Sequence, residues 1–138
     1  MSKKPIPQEM RSYETFTYFN LFFDVGKALE FAKNYAPKNR KPKYNFALPM
    51  VRTDDDYYMK TDIKSPLIFA YVKVKNVEGY ILIDGHHRLR KALELKKWVK
   101  CIYLSKKDSL KVRMTHDEYI MLIHKARKVK EGVYVTNE

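Results

Sequence analysis

At 138 residues, 45% apolar and 14% aromatic, the chain can bury one core but has no room for a catalytic domain beside a separate recognition domain, and it is too apolar to be disordered. Lys and Arg outnumber Asp and Glu by 28 to 16, and the net charge of +12 attracts polyanions: nucleic acid, nucleotides or an acidic partner. No apolar run is long enough to span a membrane, MSKKPIPQEM lacks the apolar stretch of a signal peptide, and a lone cysteine excludes a disulfide framework and a multi-cysteine metal site, so a cytoplasmic protein is expected.

Tyr13 to Phe23, YETFTYFNLFF, is aromatic and β-prone, which predicts a strand covered on both faces; the same rings could stack on bases. Asp24 then caps a helix in which Val25, Ala28, Leu29 and Ala32 follow the i, i+3, i+4, i+7 pattern, ending near Tyr35. APKNRKPKYN predicts a loop whose Lys38, Arg40, Lys41 and Lys43 either hold phosphates or are simply solvated. Phe46 to Arg52 predicts a short strand. Asp54, Asp55 and Asp56 follow, but sequence neighbours point different ways, so a solvated turn is expected there rather than a magnesium site.

Pro66 opens SPLIFAYVKVKN, a strand by its β-branched and aromatic content; Asn76 to Gly79 turns the chain and YILID returns as the second strand of a hairpin. A helix from about His87 to Lys97 is predicted to bury Leu89, Ala92, Leu93 and Leu95. Trp98 begins a buried strand, WVKCIYL, in which Cys101 is structural. Thr115 and Glu118 form a capping box for a last helix that reaches Lys130 and closes at Gly132. Its Lys125, Arg127, Lys128 and Lys130 occupy more than one face, so no DNA-reading stripe is predicted. The expected order is strand, helix, strand, hairpin, helix, strand, helix: a single α+β domain over residues 1–138, with a small mixed sheet and packed helices.

The densest polar chemistry falls in ILIDGHHRLRKAL, Ile81 to Leu93, where a strand runs into a helix through Gly85. The first N–H groups of such a helix are unpaired and its dipole is positive at that end, so anions bind there. Gly85 permits close backbone approach, His86 and His87 supply imidazole donors, and Arg88 supplies a planar fork suited to phosphate oxygens. Asp84 is the odd member: it could hold magnesium, accept a proton, orient a histidine, or only cap the helix. Two adjacent histidines without a third nearby ligand argue against zinc.

From about Ser65 to Leu104, the succession SPLIFAYVKV, YILIDGHHRLRKALELKK and WVKCIYL resembles the core of the ParB and sulfiredoxin superfamily, in particular ParB-like nuclease domains. In ParB proteins the comparable glycine-arginine motif binds the triphosphate of CTP, in sulfiredoxins the turn binds ATP, and similar archaeal proteins are free-serine kinases. The resemblance implies that Gly85, His87 and Arg88 bind nucleotide phosphates, with His86 and Arg90 adjacent and Ser65 and Pro66 beside the nucleotide. His86 stands where sulfiredoxins have their catalytic cysteine, and histidine cannot form a thiol-based intermediate. After Leu104 the chain has room for one helix and a tail, not for the helix-turn-helix domain of ParB partition proteins, so a DNA clamp is not expected.

The sequence thus predicts a domain that binds ATP or CTP, with magnesium, and hydrolyses the triphosphate or transfers a phosphoryl group from it. Asp84, His86 and His87 are the catalytic candidates, and Asp84 is the metal candidate. Two alternatives use the same turn: a metal-dependent DNA nuclease, or a non-enzymatic basic protein that docks on DNA or an acidic protein partner.

Overall fold

A computed structural model describes residues 13–18, 20–43, 65–74 and 77–130. The expected strand Phe46 to Arg52, the acidic turn at Asp54 to Asp56 and the closing Gly132 lie outside the described residues. In chain order the elements are β1 (Thr15–Tyr18), β2 (Leu21–Asp24), α1 (Val25–Ala32), β3 (Lys38–Arg40), β4 (Leu67–Val74) and β5 (Val77–Asp84). They continue with α2 (His86–Leu95), β6 (Val99–Tyr103), α3 (Lys106–Val112), β7 (Arg113–Met114) and α4 (His116–Lys130). The class is α+β, with a four-stranded mixed sheet ordered β3-β6-β4-β5 and a three-stranded antiparallel sheet ordered β1-β2-β7.

The predicted hairpin is the spine of the larger sheet, but its return strand starts earlier than expected: β4 pairs antiparallel with β5 from Val74 opposite Val77 to Ile68 opposite Asp84, and Gly79, expected in the turn, lies within β5 opposite Val72. The chain then crosses over through α2 and returns as β6, parallel to β4, with Leu67 opposite Cys101 and Phe69 opposite Tyr103. Ile68, Ala70, Ile81, Ile83 and Ile102 pack on one side with Ala28 and Ala32 of α1, Val112 of α3 and Phe23 of β2. Leu67, Phe69, Leu82, Val99 and Cys101 pack on the other with Leu89 and Ala92 of α2. Cover on both faces explains why β4 and β5 begin and end in unbroken apolar runs rather than alternating.

At one point the hairpin register slips. Phe69 lies opposite Leu82 but Ile68 lies opposite Asp84, which leaves Ile83 as the extra residue of a β-bulge. Uninterrupted pairing would have set Asp84 opposite Leu67, on the α2 side; the bulge sets it beside Ile68 instead. The position of the most polar residue of the turn therefore depends on a backbone offset.

Several expectations are corrected. Tyr13 to Phe23 is a hairpin, not one strand: Tyr18 pairs with Leu21, and Asn20 sits at the reversal, where asparagine is tolerated. Lys38–Arg40 is an edge strand paired to β6, although its three side chains are exposed and show no apolar pattern. Leu95 is 45% exposed, since it falls off the Leu89–Ala92 face of α2, and Trp98, beyond the left-handed Lys96 (φ 53) that ends the helix, is 63% exposed. The helix α3 was not expected. Ser105 caps it by accepting from the Asp108 amide, and the buried Ser109 hydroxyl accepts from the Tyr71 amide at 2.8 Å, continuing the β4 ladder where β6 stops. Among the described residues no helix is long and apolar enough to cross a membrane.

Candidate functional site

The strand-to-helix turn is built around one arginine. Arg88 Nη2 donates to Asp84 Oδ2 at 2.8 Å and to the Pro66 carbonyl at 3.0 Å, and the two charged side chains are 9% and 11% exposed. One guanidinium thus fastens the entry of β4, the end of β5 and the first turn of α2. Arg88 Nε is buried without a hydrogen-bond partner among the described residues, and such a donor carries a penalty of about 1–3 kcal/mol.

Gly85 makes this packing possible. It is the N-cap of α2, at φ 110 and ψ 20, a conformation that favours glycine. A Cβ there would stand 2.6 Å from Leu67 Cδ2 and 3.1 Å from Arg88 Nη2. The close approach that the glycine permits is therefore to Leu67 and to Arg88. His86 stacks on Phe16 with ring centroids 5.2 Å apart and planes 18° apart, while His87 and Arg90 are half-buried on α2.

Beside the turn, between α1 and the sheet, lies a cavity of about 640 Å³, within the size range of small-ligand sites. Ser65, Pro66, Asp84 and Arg88 line it together with Lys27 of α1 and Lys33 at the C-cap of α1. Ile68 and Ile102 contribute apolar surface from the sheet. Four of the predicted site residues, from two separate stretches, therefore meet at one cavity, while Gly85, His86, His87 and Arg90 lie outside its wall. Lys27 and Lys33 were not foreseen: nothing in their spacing ties α1 to a turn so far along the chain.

The cavity's charges are not equivalent. Lys33 is paired with Glu30 at 3.1 Å, but both side chains are 70% exposed, so the pair holds the lysine only weakly. The Lys27 ammonium has no ion pair among the described residues. Asp84 reaches the wall as half of a buried ion pair, so it presents far less negative potential than a lone carboxylate would. Among the described residues no three His, Cys, Asp or Glu side chains group together to hold a metal ion. Asp84, the metal candidate, has its Oδ2 engaged by Arg88.

Cys101 lies apart from the cavity, 1% exposed on the α2 face of the sheet, and burial pushes its thiol up from the usual range. No family model, curated protein or solved structure matches the chain.

Proposed function

We propose that the chain binds the phosphates of a nucleoside triphosphate, ATP or CTP, in the cavity beside the Asp84–Arg88 turn, and that it hydrolyses the triphosphate or transfers a phosphoryl group. The observation that carries this reading is the convergence of Ser65 and Pro66, Asp84 and Arg88, and Lys27 and Lys33 on one cavity. Lys27 and Lys33 supply positive charge and the Ser65 hydroxyl a donor for phosphate oxygens, while Arg88, its charge matched by Asp84, shapes the wall between them. A lone carboxylate would repel phosphate, but one matched by a buried guanidinium repels it little. The task of Asp84 is then to orient Arg88 rather than to act alone as a base.

Phosphoryl transfer needs positioning and charge neutralisation more than covalent chemistry, which is the kind of chemistry this set supports. Among the described residues the donor set forms no protein-only metal centre. Membership of the ParB-like domains and a cytoplasmic location, where such nucleotides are abundant, belong to the same proposal. His86 and His87, outside the wall, take no part in it.

The test is calorimetric titration with ATP and with CTP, comparing the native protein with Ser65→Glu. Ser65 is exposed, so the new carboxylate sits at the cavity wall without disturbing the core. Saturable binding of one nucleotide, weakened at least about tenfold in the variant, is expected. No binding of either nucleotide, or equal affinity in the variant, contradicts the proposal.

A further inference from the structure

A second concavity, of about 220 Å³, opens on the other side of Lys27, where α1, the junction of α3 with β7, and α4 come together. Four cations from four elements line it: Lys27 in the first turn of α1, Lys111 near the end of α3, Arg113 on β7 and Lys125 on α4. They converge for reasons of fold rather than sequence. The pairing of Arg113 with Phe23 docks β7 on β2, and β2 runs straight into α1.

Two carboxylates share the wall, Asp24 and Glu118, and each is engaged by backbone. Asp24 Oδ1 accepts from the Lys27 amide at 3.0 Å, and Glu118 Oε1 accepts from the Thr115 amide at 3.0 Å. None of the four cationic side chains forms a hydrogen bond or an ion pair among the described residues, although the charge of Lys27 reaches Glu118 and helps hold its carboxyl low. A merely solvated face spreads its lysines apart; here they surround a hollow whose wall includes the apolar Met114 and Leu122, which strengthen every charge near them. Like charges gathered in this way repel, and an oxyanion seated among them relieves the repulsion.

We propose that this concavity is a second anion site, which takes a phosphate group between the fork of Arg113 and the ammonium groups of Lys27, Lys111 and Lys125. Arginine matches two phosphate oxygens at once and lysines add undirected charge, so phosphate suits the set better than a monovalent halide. The phosphate belongs either to a small phosphate ester or to a nucleic-acid backbone. The site stands whether or not the larger cavity binds a nucleotide, and its test leaves the shared Lys27 untouched.

The experiment compares the native protein with the double variant Lys111→Gln, Lys125→Gln, in titrations with inorganic phosphate and with a short single-stranded oligonucleotide at several salt concentrations. Both lysines are exposed, and an unchanged far-ultraviolet spectrum and unfolding midpoint confirm the fold. The expected result is saturable binding by the native protein and at least about fivefold weaker binding by the variant. If the oligonucleotide shows the loss, with a salt slope shallower by about one to two units for the two missing contacts, the phosphate comes from nucleic acid. If inorganic phosphate alone shows it, the source is a small ester. Ser65→Glu should leave phosphate affinity here unchanged, which keeps this outcome apart from that of the larger cavity. Equal affinities of native and double-variant protein for both probes, or no binding of either by the native protein, overturns the proposal.

Discussion

At the start of α4, Thr115 Oγ1 accepts from the Glu118 amide while Glu118 Oε1 accepts from the Thr115 amide, both in contact with water. At the start of α2 the N-cap is Gly85, which has no side chain to offer, and Arg88 folds back from the first turn to clasp Asp84 and Pro66. The first arrangement is complete within four residues of sequence. The second exists only when the entry of β4, the end of β5 and α2 are already assembled. A helix start closed by its own neighbours is scaffold; one held by distant chain also shapes whatever lies beside it, here the cavity wall. Changes at the two starts should therefore differ in size and in reach.

The largest effect is expected at the clasp. Asp84→Ala strands a buried guanidinium, and breaking such a pair costs about 3–5 kcal/mol, read as a drop in the urea midpoint. Replacing both partners by apolar residues, as in Asp84→Leu with Arg88→Met, should recover most of that stability. If the double variant is as unstable as the single one, the stability of the turn does not rest on pairing the two charges.

Gly85→Ala comes next. The left-handed backbone and the 2.6 Å approach to Leu67 Cδ2 together should cost about 2–4 kcal/mol by the same measurement. At α4, by contrast, Thr115→Ala should cost about 1 kcal/mol and leave nucleotide affinity unchanged.

The α4 cap also carries a pH signature. Hydrogen bonds from Thr115 hold the Glu118 carboxyl below its ordinary value of 4.5, so its contribution is complete above that pH and is lost as pH falls through the lowered value. The difference in unfolding midpoint between the native protein and Glu118→Gln should accordingly shrink in acid. The smallest perturbation concerns Cys101. With its thiol 1% exposed and pushed up by burial, it should resist alkylation at neutral pH until the protein is unfolded.

The same contrast explains what could be read from the sequence. The capping box, the β4–β5 hairpin and the Asp24 cap were legible because each is settled by residues close along the chain. The bulge at Ile83 was not, since a register slip leaves no mark on composition yet decides which way Asp84 turns. β3 was missed because it joins the sheet through backbone alone, and α3 because Leu110, 66% exposed, breaks its apolar pattern. Leu95 and Trp98 look like core residues, but Leu95 falls off the buried face of α2 and Trp98 lies beyond the helix end at Lys96. At the candidate site the sequence marked Ser65, Pro66, Asp84 and Arg88, but Lys27 and Lys33 became part of it only once α1 lay across the sheet.

In the proposed function, the cavity next to the clasp receives nucleotide phosphates. The most direct measurement is an amide chemical-shift titration of the isotopically labelled protein with ATP and CTP. Saturating shifts gathered at Ser65, at Asp84 to Arg88 and along α1 at Lys27 to Lys33, with the α4 cap unmoved, are the predicted result. Shifts that never saturate, or that fall outside those segments, would contradict it.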